Sequence, residues 1–241
     1  MLRVSQRLLG RRQRGLSIVE LMVGLALGLF VVAGATVVTS TQLGDNRRLL
    51  LETQLQQDLR SSADIIAREL RRAGYWSTSE DGVWTPTANA SPNNFSTVTT
   101  TGATQVDFKY RRGPGQEGPY GFKLDSGAGT LKTLLAASGW QDLTDARTMR
   151  ITNLTITPEA SPEQVLPCPR LCAAGTDAAG AYPAGTDRCW PRVSNRRFIV
   201  DITGQAVSDA AFQRQLRTYV RVRNDLVRFA DAANPTRMCP E

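Results

Sequence analysis

The stretch RGLSIVELMVGLALGLFVVAGATVV, residues 14–38, decides the fold. Within residues 16–38 Glu20 is the only charged side chain. At about 1.5 Å of rise per residue, these 23 residues form a helix of about 35 Å, enough to cross a bilayer. A carboxylate in such a helix costs about 2.5–3.5 kcal/mol at the bilayer centre and less near the interface, so it calls for a partner or a purpose. Just upstream lies a leader with five arginines (Arg3, Arg7, Arg11, Arg12 and Arg14) and no acid. A cleavable secretory signal has a shorter apolar core followed by a small-residue cut site, which does not fit. A plain signal anchor is the simplest alternative, with Ser17-x-x-Glu20 as an ordinary capping box. It gives no reason for Gly15 between Arg14 and the helix.

Working outward, the charge balance is dominated by the leader. The net charge is +7, and the five leader arginines leave +2 on the rest of the 241-residue chain. The high isoelectric point therefore records a positive-inside leader rather than affinity for nucleic acid. It predicts a cytoplasmic N-terminus and a periplasmic remainder. The chain has no histidine. That removes the commonest general base, the Ser-His and Cys-His nucleophile pairs and most zinc sites. Phosphate-binding and dinucleotide fingerprints are absent too. No enzyme activity, catalytic residue, metal site or cofactor is expected.

Beyond Val38 the helical pattern continues through a polar stretch in which Gly44 is a weak point. Leu51, Leu55, Leu59, Ala63, Ile66 and Leu70 then recur at four- and three-residue steps, one apolar stripe at helical period. Arg71 and Arg72 suit a helix C-terminus, and Gly74 suits a left-handed cap. The spacing predicts a helix over about 17–73. Residues 75–101 read as loop, with Trp76, Trp84 and Phe95 as anchors. Strands are expected from Gly102 onward. Val106, Phe108 and Tyr110 alternate with polar residues, residues 120–124 form a short strand, and residues 131–135 a strand or short helix. Over 148–157 the apolar phase slips between Ile151 and Leu154, which a bulge would produce. Residues 198–203 form the clearest buried strand, and 216–222 the last. One long helix followed by short strands gives an α+β fold, the helix packed on an antiparallel sheet. The expected organisation is a leader over 1–15, a membrane helix over 16–46, its amphipathic continuation over 47–74, and a periplasmic β-domain over 75–241.

The four cysteines are Cys168, Cys172, Cys189 and Cys239. Without histidine, and without tightly paired spacing, they make a poor zinc site. In an oxidising compartment an even count reads as two disulfides with three possible connectivities.

Gly15-Leu16-Ser17-Ile18-Val19-Glu20-Leu21-Met22-Val23, set between a basic leader and a long apolar run, resembles the class III signal of type IV pilins and type II secretion pseudopilins. The resemblance implies cleavage between Gly15 and Leu16 by a prepilin peptidase and methylation of the new N-terminus at Leu16. It also implies that Glu20, the fifth mature residue, meets the N-terminus of a neighbouring subunit during assembly. Leu16 stands where phenylalanine is commoner. Residues 207–224 resemble the C-terminal part of PilW-type minor pilins. The resemblance implies a type IV pilin fold and a minor pilin of the pilus, held in the inner membrane before entering the filament. Its partners would be other minor and major pilins and the inner-membrane assembly platform. The alternative is a minor pseudopilin of a type II secretion system. A third reading is a DNA-binding pilus subunit, because Arg217, Tyr219, Arg221 and Arg223 fall on one strand face. A solvated outer face is the simpler account of that row, and nucleic acid is not expected as a partner. Gly24-x-x-x-Gly28 matches a small-residue packing face, although glycine is also simply tolerated in membrane helices.

Overall fold

The apolar run and the apolar stripe form one helix. The computed structural model describes residues 15, 17–82, 91–177 and 179–228. In it α1 spans Ile18–Arg72, and Gly44 does not interrupt it. The chain divides into two compact units, one up to Leu50 and one from Leu51 onward. In the second unit the stripe is buried as its period demands. Leu55, Leu59, Ala63, Ile66 and Leu70 all lie in the core, with Ser62 and Ala67 beside them. Leu51, at the start of the stripe, is half-buried. The Ser62 hydroxyl donates to the Asp58 carbonyl at 2.8 Å, so its oxygen enters the core already satisfied.

The rest of this unit is antiparallel sheet. Five strands form a meander: β1 (Val98–Thr101), β2 (Gln105–Phe108), β3 (Tyr120–Asp125), β4 (Thr130–Leu135) and β5 (Trp140–Asp142). Three longer strands form a second sheet in the order β12 (Gln213–Arg221), β11 (Arg197–Ala206), β6 (Met149–Glu159). A small sheet joins β13 (Leu226–Arg228), β10 (Arg192–Ser194) and β7 (Gln164–Val165). A hairpin of β8 (Gly175–Asp177) and β9 (Gly180–Tyr182) lies between β7 and β10 in the chain. The core joins the α1 stripe to Val106, Phe108, Phe122, Leu131, Leu154, Ile156, Val200, Ile202 and Val220. Phe108, Tyr110, Tyr120 and Phe122 cluster there, the closest ring centroids being 4.5 Å apart between Tyr110 and Tyr120.

The phase slip in 148–157 is a bulge. Thr203 pairs with Asn153 and Gly204 with Ile151, which leaves Thr152 as the extra residue on β6. Its hydroxyl donates to the Thr203 carbonyl at 3.3 Å. Two expectations about strand limits are corrected. Strands begin before Gly102: β1 pairs with β2 from Val98↔Phe108 to Thr101↔Gln105, and Gly102, at φ +58°, turns the hairpin. Nor is 216–222 the last strand, since β13 follows and is anchored by pairing with β10. Residues 131–135 are strand rather than helix, held between β3 and β5. Trp84 lies outside the described residues.

The C-terminal end of α1 is fastened by segments far away in sequence. Gly74 takes φ +78°, the cap geometry expected of it. The Arg223 N–H donates to the Arg71 carbonyl at 3.0 Å, Asn224 Nδ2 to the Ala73 carbonyl at 3.0 Å, and Asn93 Nδ2 to the Gly74 carbonyl at 2.7 Å. The terminal carbonyls of the helix are thus satisfied from two loops. Nearby, the Tyr110 hydroxyl donates to Glu69 Oε2, and Arg112 Nη2 reaches the same carboxylate at 3.1 Å. Burial first, and then the Glu69 carboxylate, raises the Tyr110 hydroxyl above the ordinary tyrosine range.

Candidate assembly helix and processing site

The first unit holds the residues on which the resemblance rests. Ser17 precedes the helix and Ile18 opens it, so Ser17 takes the N-cap place and Glu20 the third helical place. The Leu21 N–H donates to the Ser17 carbonyl at 3.1 Å, closing the first turn. Gly15 is exposed, and Leu16 lies outside the described residues. Glu20 points from an exposed first turn, and no ion pair among the described residues involves it.

Every described residue from Ser17 to Leu50 is exposed. Its apolar side chains are no exception, with Phe30 at 81% and Leu29 at 63% exposure. The most apolar window has a mean hydropathy of 2.5 with none of it buried, and α1 is long and apolar enough to cross a membrane. An apolar surface of this extent exceeds what a soluble monomer leaves in water. Lipid or neighbouring helices must cover it. The polar groups inside it are already adapted to such cover. The Thr36 hydroxyl donates to the Val32 carbonyl at 2.5 Å, Thr39 to Ala35 at 2.8 Å, and Thr41 to Val37 at 2.8 Å. Each thus carries its own acceptor one turn back, so none needs water. Sequence reasoning passed over these threonines. The available signal was hydroxyl residues at the end of an apolar run, where a carbonyl one turn earlier is always in reach. A side chain added at Gly24, Gly28 or Gly34 would meet nothing in the subunit, so these positions are open to close approach from outside.

The other predicted residues lie in the second unit. Cys172 and Cys189 form a disulfide that closes the loop carrying β8 and β9. In the chain-entropy model a bridge over about 17 residues stabilises by about 3 kcal/mol. Cys168 is also disulfide-bonded, and Cys239 lies outside the described residues. Alkylation without reduction is expected to leave all four cysteines unmodified. A non-reduced tryptic map should join residues 171–188 to 189–192, and by count 151–170 to 238–241. Labelling of two or more cysteines would overturn this pairing.

The basic row on β12 is less free than its composition suggests. Arg217 Nε donates to both Asp201 carboxylate oxygens, at 2.9 and 3.0 Å, and that carboxylate raises the Arg217 pKa. Arg221 Nη2 donates to Asn195 Oδ1 at 2.6 Å and lies 3.8 Å from Asp225. A guanidinium committed to a carboxylate within the subunit, as Arg217 is to Asp201, is a poor phosphate contact. Among the described residues no cluster of histidine, cysteine and carboxylate side chains could hold a metal ion.

Two family models match the chain. The prokaryotic N-terminal methylation motif matches residues 10–36, across the basic leader, Glu20 and the apolar helix. The model described as prepilin peptidase-dependent protein B matches residues 48–222, well over half of the chain. No curated protein and no solved structure gives a significant match.

Proposed function

We propose, for a chain that belongs to the prepilin peptidase-dependent protein B family, the role of a minor pilin that enters a type IV pilus through its N-terminal helix. The coarser statement is already secure. This is a pilin-like chain with an N-terminal methylation motif, dependent on prepilin peptidase for processing and anchored to a membrane by its apolar helix. The finer reading assigns the cut to the Gly15–Leu16 bond, methylation to Leu16 and the assembly contact to Glu20.

The observation that carries the proposal is the bare apolar surface of the first unit with one acid at its head. In the membrane, lipid covers that surface. On assembly, neighbouring helices replace lipid at little hydrophobic cost, because both are apolar. Selectivity then comes from Glu20, the one charged group of residues 16–38. A carboxylate in an apolar setting becomes favourable only against a cation, and the methylated N-terminus of the adjoining subunit supplies one. The leader arginines place the N-terminus in the cytoplasm and the β-domain in the periplasm. The function is assembly, and no catalytic chemistry is assigned.

The second reading, a minor pseudopilin of a type II secretion system, shares every feature of the N-terminal unit. Pull-down from native membranes with mass spectrometry of the co-purified subunits separates the two. The pilus reading expects major and minor pilins in the eluate and loss of surface pili on deletion. Secretion-system subunits in the eluate, with pili intact on deletion, would overturn it.

A further inference from the structure

The Cys172–Cys189 bridge has two unlike ends. Cys172 is 2% exposed, whereas Cys189 is half-buried. A thiolate that opens a disulfide must reach one of its sulfurs and expel the other. The burial of Cys172 closes off its own sulfur, which leaves Cys189 Sγ as the one open to attack. The expelled sulfur is then Cys172 Sγ, and it already accepts a hydrogen bond, since the Cys189 N–H donates to it at 3.0 Å. That bond strengthens when the sulfur takes up negative charge. Burial acts against the same charge, so the Cys172 thiolate forms at a cost and is a strong nucleophile while it lasts.

The backbones that carry the two sulfurs are held together by bonds other than the bridge. The Cys172 N–H donates to the Thr186 carbonyl at 2.9 Å, and the Gly185 N–H to the Cys172 carbonyl at 2.8 Å. Trp190 Nε1 donates to the Arg170 carbonyl at 2.9 Å, and the Trp190 N–H to the Asp187 carbonyl at 3.0 Å. Residue 170 is thus tied to 190, and residue 172 to 185 and 186. Opening the S–S bond leaves these ties in place and keeps the two sulfurs near each other.

We propose that Cys189 is a site of reversible S-thiolation by a low-molecular-weight thiol, with Cys172 as its resolving thiol. In the first step the external thiolate forms a bond to Cys189 Sγ. The Cys172–Cys189 bond breaks, and its electron pair leaves on Cys172 Sγ. In the second step the Cys172 thiolate attacks Cys189 Sγ, the bridge re-forms and the external thiolate departs. Each step exchanges one disulfide for another, so no further oxidant or reductant is consumed. Neither step depends on the assembly reading of the N-terminal helix.

The test places the full chain, in detergent micelles, in glutathione buffers made progressively richer until half of the bridge is open. Free thiols are capped with N-ethylmaleimide, and the adducts are mapped after trypsin without reduction. Cleavage after Arg188 puts Cys172 on peptide 171–188 and Cys189 on peptide 189–192, so each sulfur is read separately. Glutathione on Cys189 with maleimide on Cys172 is expected to exceed the reverse pairing by about ten-fold, because access selects the attacked sulfur. In urea, where Cys172 is no longer buried, the preference should disappear. In an uncapped sample, gel filtration should return the adducted fraction to the bridge without added oxidant. Equal adducts, a preference for Cys172, a preference unchanged in urea, or no opening short of unfolding would overturn the proposal. An adduct that stays on Cys189 after gel filtration would overturn the resolving role of Cys172.

Discussion

Glu20→Gln is expected to leave the chain processed and stably held in the inner membrane, yet largely missing from filaments. Two accounts of Glu20 differ here. The Ser17 N-cap and Glu20 at the third helical place satisfy the spacing of a capping box, and glutamine completes that box as well as glutamate. If capping were the whole role, the substitution would be nearly silent. If Glu20 instead pairs with a neighbour's N-terminus in an apolar setting, glutamine removes the charge. Breaking one side of a buried pair costs about 3–5 kcal/mol, because the other charge is left unmatched. Glutamine can still accept a hydrogen bond from the amine, so a loss of about 2 kcal/mol is the better expectation, a factor of about 30 in assembly. The same change relieves the insertion cost of the unassembled helix, so membrane retention should not suffer. Fractionation into membrane and sheared-filament pools reads both effects. Normal incorporation into sheared filaments would leave Glu20 as an ordinary cap.

The second large effect concerns Leu59, which couples α1 to the sheet in the second unit. Leu59 is fully buried. Its Cδ2 would lie 3.1 Å from a Cβ at Gly204, where Met149 Sδ and Ile151 Cδ1 also converge, at 3.2 and 3.4 Å. Gly204 is therefore small because the helix stripe and the bulged strand β6 meet over it. Leu59→Ala opens a cavity at that meeting point and should destabilise the unit by about 2.7–5 kcal/mol. At a slope of about 2 kcal/mol per molar, the urea midpoint should fall by about 1.3–2.5 M. Leu29→Ala removes the same atoms from an exposed helix face and should leave the midpoint unchanged. A Leu59→Ala stability within about 0.5 kcal/mol of the parent would show that α1 does not depend on this packing.

The contrast between these two leucines also explains what the sequence could disclose. Residues 16–38 announce a membrane helix because nothing in them but Glu20 is charged, and the stripe from Leu55 to Leu70 announces a buried face because its period is helical. The Thr152 bulge was legible as a slip of phase between Ile151 and Leu154. Such patterns are local, written within one element. The short strands β7 to β10 and β13 have two or three residues each, too few for any alternation to register. They persist through pairing and the Cys172–Cys189 bridge rather than through a hydrophobic face. Arg196 is the extreme case. It sits in a polar run that reads as surface turn, and its guanidinium is held by the carbonyls of Ser96 and Asn224, 100 and 28 positions away. No window along the chain could reveal it. The N-terminal site was legible in residue type and spacing, while the chemistry proposed for it lies in a contact between subunits.

The proposed chemistry requires a free, modified N-terminus, and the intact mass of protein purified from its native host measures it most directly. The account predicts a chain that lacks residues 1–15, begins at Leu16 and carries one methyl group on that N-terminus. A mass that retains Met1 to Gly15 would contradict it.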